Sequence, residues 1–241
     1  MGGSRSISER LSKLPPGRHL LPSDFVADNQ RARILYAVSE LVAESGYQKT
    51  TIELIAKTAR VALSTFYEHF AGKEECFIAA FDADVEAAAG IFDELLDPDM
   101  PWPDQIALGL EIFVELVVAE PTRAKLCIVA SQSAGAAGFA RYQATLERVA
   151  PKLREGRALS SLSGKTPEGL EAAMAGGIAW LVHQRLVKGE VDEIKELLPE
   201  MVQLTLTPYV GEEEARRAAR AVAMRNRVVV PKAQGGRDGE M

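Results

Sequence analysis

Residues 50–77 hold two short helical patterns with too few residues between them for anything but a tight turn. Ile52, Ile55, Ala56 and Ala59 follow the 3.6-residue period, so the first segment buries one face of a helix. Thr50 or Thr51 supplies the hydroxyl that caps its start. After a break at Arg60-Val61, a second helix of about two turns runs from Ala62 or Leu63 to Phe70. In this reading Leu63 and Phe66 point inward, while Ser64, Thr65, Tyr67 and Glu68 stay outside. So short a helix is not stable alone. Braced by its predecessor it completes a helix-turn-helix, whose second helix can enter a DNA major groove.

At these residues the chain resembles the TetR family of one-component transcriptional regulators. The matching elements are Ile55-Ala56, the run Ser64-Thr65-Phe66-Tyr67-Glu68-His69-Phe70, and Lys73-Glu74-Glu75 at the start of the next helix. The resemblance covers roughly residues 29–82. It implies an all-α protein with a three-helix reading head and a larger C-terminal helical domain for effector binding and dimerisation. It also implies a repressor, released from a palindromic operator on double-stranded DNA by a small, largely apolar ligand.

Charge is distributed to suit such a division. The chain of 241 residues carries a net charge of −6, but residues 1–75 hold +1, residues 76–210 hold −9 and residues 211–241 hold +2. An acidic body limits non-specific attachment to DNA, and a near-neutral head needs only a few well-placed cations for phosphate contacts. The two cysteines, Cys76 and Cys127, stand far apart and fit a reducing compartment better than a disulfide framework. The polar N-terminus has no signal-peptide stretch. The most apolar run, Ile106 to Ala119, is broken by Glu111 and Glu115 and is too short to span a bilayer. The expected location is the cytoplasm, with no membrane association.

Periodicity and helix breakers predict nine to ten helices and no sheet. Residues 1–22 form a basic arm, either touching phosphates and the minor groove or serving as an unstructured leader. The reading head spans 23–76, with a first helix from near Ser23 to Gly46. The effector and dimerisation domain spans 77–227. A helix from 73 to before Pro98 is expected to link the head to it, and further helices over 103–119, 121–131, 138–157, 167–188, 191–209 and 212–227, with loops at 134–138 and 160–166. Residues 228–241 are expected to be disordered.

Hypothetical roles follow for single residues. Ser64, Thr65 and Ala62 are candidates for base edges, where a hydroxyl discriminates only modestly. Tyr67, His69, Lys73 and Thr51 are candidates for phosphates; packing within the head is the alternative for Tyr67 and His69. Two positions depart from the family pattern: Arg60 occupies the usual turn glycine, and Ala62 replaces a capping serine. Either the turn geometry differs, or Arg60 compensates for the strain by reaching a phosphate.

Gly176 and Gly177 inside a helix lower its propensity by roughly 1 kcal/mol each relative to Ala, so close approach of another helix should offset that. The resemblance implies a homodimer through helices 167–188 and 191–209; the alternative is monomer core. Candidate effector contacts are Trp102, Phe113, Leu116, Cys127, Met174, Trp180 and His183, each equally readable as core. Glu111 and Glu115 lie one turn apart, but no histidine at ligand spacing accompanies them, so a solvated face is the better reading. No cofactor, metal or catalytic residue is expected. Two other classes stay open: a helical ligand-binding or interaction module that no longer reads bases, and, less favoured, an all-α enzyme.

Overall fold

The computed structural model describes residues 26–160 and 166–228; the basic arm, residues 161–165 and the C-terminal tail lie outside them. Every regular element among the described residues is helical. Helix α1 (Val26–Ser45) buries Ile34, Val38 and Val42 on one stripe and stops at Gly46, which adopts φ +82°. The Thr50 hydroxyl donates to the Gly46 carbonyl at 3.0 Å, closing the turn. Thr51 then caps α2 (Ile52–Ala59), its hydroxyl accepting from the Leu54 amide at 3.3 Å. Thr51 is therefore the cap, and Thr50 shapes the loop before it.

Helix α3 (Leu63–His69) follows after three residues, and α4 (Lys73–Leu95) begins after Gly72. Glu75, in the first turn of α4, accepts from the Ala71 amide at 2.6 Å and tightens that connection. Phe66 and Phe70 fill the head core together with Ile55, Phe77 and Phe81. The head core does not end at residue 76. It takes Phe77, Ala80 and Phe81 from α4, and also Leu126, Ala130 and Ala134 from the body. The expected division at 76/77 thus falls inside a continuous helix whose two ends serve two cores, because Ile91 and Leu95 pack on Ile112 of α5.

The body comprises α5 (Trp102–Ala119), α6 (Pro121–Ala124), α7 (Gly135–Arg154), α8 (Leu170–Lys188), α9 (Ile194–Val210) and α10 (Glu212–Val228). Its core is built from α5, α8, α9 and α10, with Val114, Val182, Met201, Leu206 and Val222 among the most deeply buried residues. The segment after α6 departs from the regular helix expected over 121–131. It passes into a π-helical turn over Lys125–Val129 and a 3₁₀ turn over Ala130–Gln132. Side chains satisfy carbonyls there: Ser131 donates to Cys127 O at 2.6 Å, and Gln132 to Ile128 O at 2.8 Å.

The predicted loop at 134–138 shrinks, and the one at 160–166 lengthens. Helix α7 starts at Gly135, not 138, because the small residues are needed for contact: a Cβ on Gly138 would lie 2.8 Å from Ala134 Cβ and 3.4 Å from the Phe77 ring. Helix α7 ends at Arg154 and continues as a 3₁₀ turn over Glu155–Leu159. Gly156 there packs directly on the Trp102 indole, leaving no room for a side chain. Helix α8 starts at Leu170 after a turn, and not at the predicted Thr166-Pro167 cap.

Candidate DNA-reading head and ligand domain

The turn between α2 and α3 decides how α3 is presented. Arg60 sits at φ 54°, ψ 47°, in the left-handed region. Its amide donates to Lys57 O at 3.1 Å, and the Val61 amide donates to Ala56 O at 3.0 Å. That pair of bonds is the Schellman arrangement, which glycine normally serves. Gly189 does so at the end of α8, with Glu190 N bonded to Arg185 O at 2.9 Å. The turn geometry is therefore unchanged by Arg60, and the strain of a left-handed Cβ is retained. Ala62 precedes α3 without a side-chain cap.

Beyond the turn, α3 sets Phe66 fully inside and leaves Ser64, Tyr67 and Glu68 exposed, with Thr65 and His69 half-buried. Tyr67 is 53% exposed and its ring meets Phe66 edge-on at 5.6 Å, so the tyrosine stands on the core and points its hydroxyl away from it. His69 leans on the Phe70 ring at 6.3 Å. Thr51, Arg60 and Ala62 are exposed on the same head. Leu63 corrects the periodicity reading: it is 42% exposed and takes no part in the head core.

Lys73, a candidate for a phosphate, has partners within the head. Its ammonium donates to Tyr47 O and Thr50 O, both at 2.9 Å, and lies 4.2 Å above the Tyr47 ring. Two of its three donors thus tie the α1–α2 loop to the start of α4, immediately behind the Thr51 cap. The head is also bound to the body, since Gln48 donates to Ser133 O at 3.1 Å.

The ligand candidates do not converge on one space. Trp102 donates its indole N–H to Lys152 O at 2.8 Å and meets Tyr209 edge-on at 5.0 Å. Phe113, Cys127 and Met174 belong to the body core, whereas Leu116 faces the smaller cluster beside α4. Trp180 is 57% exposed and stacks on His183 at 5.5 Å, on the outer face of α8. The His183 Nδ1 is buried, with no hydrogen-bond partner among the described residues. Burial pushes the Cys127 thiol well above its ordinary value, so it is an inert packing group.

The acidic pair of α5 is not a solvated face. Glu111 is buried and accepts from Arg225 of α10 at 3.0 Å; Glu115 accepts from Lys195 of α9 at 2.8 Å. Their partners lie 114 and 80 residues away, which no local pattern reveals. Sequence reading also missed a buried network in which Glu171 accepts from Arg157 and from the Tyr209 hydroxyl. A third carboxyl, that of half-buried Asp84 of α4 with its Oδ2 enclosed, is pushed up to about 6 by desolvation, against the pull of Arg123 at 3.6 Å. Among the described residues no cluster of three His, Cys, Asp or Glu could hold a metal ion, and no helix is long and apolar enough to cross a membrane.

A three-helix head that buries Phe66 and offers the opposite side of α3 to solvent is a helix-turn-helix domain. Residues 34–80 match the family model described as bacterial regulatory proteins, tetR family. The N-terminal domain of this chain is accordingly a TetR-family helix-turn-helix domain. The chain is 30% identical over 87 residues to the uncharacterized HTH-type transcriptional regulator YhgD of Bacillus subtilis, covering 36% of this chain and 46% of that protein. It is 28% identical over 114 residues to the HTH-type transcriptional activator FasR of Mycolicibacterium smegmatis, covering 47% and 52%. The chain thus spans about half the length of the curated relatives it matches.

Solved structures extend the likeness to the body. The fatty acid degradation regulator FadR from Bacillus halodurans superposes with a TM-score of 0.65 at 18% identity, over 73% of this chain and 94% of that one. FadR from Bacillus subtilis in complex with stearoyl-CoA gives 0.60 at 21% identity, over 74% and 97%. At such identities the likeness is one of fold.

Proposed function

We propose that this protein is a dimeric, sequence-specific DNA-binding regulator, a repressor that leaves a palindromic operator when a small, largely apolar ligand enters the body. The observation that carries this reading is the presentation of α3, with Ser64 and Tyr67 exposed on a rigid aromatic frame in a TetR-family head. Ser64, Thr65 and Ala62 would meet base edges, and Thr51, Arg60, Tyr67 and His69 phosphates. Lys73 would act behind them, by holding the loop that positions α2.

The open face of α8 supports dimerisation. Ala172, Ala173 and Trp180 are exposed, and a Cβ on Gly176 or Gly177 would meet nothing within 4 Å. The two glycines are therefore unexplained within one subunit. Helix α9 contributes less than its sequence implies, since Ile194, Leu198, Met201 and Leu206 are monomer core and Leu204 is its exposed apolar residue. Two heads on a two-fold axis would face successive major-groove turns about 34–36 Å apart.

For the ligand, the apolar character of the body core is the support, and the stearoyl-CoA bound by the Bacillus subtilis FadR supplies the first probe class. The ligand must bind the DNA-incompetent state more tightly to release the operator. Helix α4 is the physical link, because it carries residues of the head core at one end and of the body at the other.

The deciding experiment is selection of the purified protein on a random-sequence DNA pool at moderate salt. A palindrome with half-sites about one helical turn apart supports the reading and yields the operator for screening acyl-CoA and other apolar ligands for release. Weak, salt-sensitive binding with no motif would instead favour a helical ligand-binding module that does not read bases.

A further inference from the structure

The outward side of α3 holds one residue to which the contacts above give no role. Glu68 stands two positions after Phe66, so at 3.6 residues per turn it lies about 200° round the helix from a fully buried ring. It is exposed, it shares its face with Ser64 one turn earlier, and among the described residues it has neither a hydrogen bond nor an ion pair. It is also the sole carboxylate of α3. A helix that enters the major groove in this orientation carries an uncompensated negative charge to the base edges of a polyanion.

Such a group is tolerated only where the groove offers it a donor. A carboxylate accepts and cannot donate, and the groove's donors are the exocyclic amines of cytosine and adenine. The adenine amine is flanked by its own N7 and by the O4 of the paired thymine, so a carboxylate reaching it faces two acceptors. The cytosine amine has a C–H on one side and only the guanine O6 on the other. Phosphates and guanine edges repel the same oxygens.

We propose that Glu68 is a specificity-determining residue that selects a cytosine in each operator half-site by accepting from its N4 amine, and that weakens binding wherever this cytosine is missing. The second effect follows from charge alone, since discrimination is gained by penalising wrong sites as well as by rewarding the right one. The proposal rests on the reading of the head as a base-reading domain, and deepens it by naming one base and the side chain that reads it.

The test uses the full chain as wild type, Glu68→Ala and Glu68→Gln, each selected on the same random-sequence pool, followed by titration of operators varied at the assigned position. Wild type should prefer cytosine there by about 5- to 150-fold. Glu68→Ala should lose that preference and bind unrelated DNA more tightly than wild type. Glu68→Gln should move the preference to adenine, whose N6 and N7 a glutamine amide matches. Far-UV circular dichroism checks that both variants fold, as an exposed side chain permits. If wild type yields a motif and Glu68→Ala keeps every base preference in it, the inference is overturned while the reading of the head stands. If wild type yields no motif, that reading fails and takes the inference with it.

Discussion

Arg157 grips the buried carboxylate of Glu171 with two parallel hydrogen bonds, Nε to Oε1 at 2.6 Å and the terminal nitrogen to Oε2 at 2.7 Å. The Tyr209 hydroxyl adds a third at 3.1 Å, so the turn after α7, the start of α8 and the end of α9 meet on one charge. The Arg157 hydrogen bonds hold the Glu171 carboxyl down at about 2, against an ordinary 4.5, although burial opposes them. Because its folded-state value is depressed, the group stabilises the protein above the unfolded value, and this is lost as pH falls from about 4.5 toward 2. The shift corresponds to at most about 3 kcal/mol. Urea midpoints measured between pH 5 and 2.5 should fall more steeply for wild type than for Glu171→Gln. Removing only the cation, with Arg157→Ala, strands a buried carboxylate and should lower the urea midpoint at neutral pH more than Glu171→Gln does.

In the proposed reading, Arg60 trades stability for a phosphate contact. Replacing it by glycine relieves a left-handed Cβ worth roughly 1–2 kcal/mol, offset in part by the added freedom of the unfolded chain. Arg60→Gly should therefore raise the melting temperature slightly. It should weaken operator binding and lower the salt slope by about one phosphate contact. An unchanged slope would sink the phosphate role of Arg60.

Lys73 should behave differently from a phosphate ligand. Lys73→Met leaves the Tyr47 and Thr50 carbonyls without their donor, at a cost of about 1–3 kcal/mol. Operator affinity should drop with the head's stability while the salt slope holds. A slope reduced by about one would return Lys73 to the DNA.

The α8 glycines supply a test of assembly. Gly177→Leu adds bulk where a Cβ meets nothing within 4 Å in the subunit. The subunit should keep its helical signal and appear by light scattering at half the wild-type mass. A variant that stays dimeric would move the interface elsewhere.

Much of the architecture was legible because helical signals are local. Thr51 or its neighbour as a cap, Gly46 and Gly189 as stops, and Phe66 as the anchor of α3 all follow from spacing and from what each residue type can do. Leu63 misled for a local reason of another kind. Its register is inward, but register says which way a side chain faces and not whether anything is there to meet it.

What the sequence determined by itself was the order of helices and the helix-turn-helix, since each depends on residues within about one or two turns of one another. Only the tertiary structure decided that Glu111 and Glu115 are paired, that Lys73 is clamped on the loop behind Thr51, that Trp180 faces outward, and that the head's core is completed by Leu126 and Ala130. The physical reason is the same in each case. A charge or a ring is settled by its partner, and these partners are brought by helices whose distance along the chain carries no information about their distance in space.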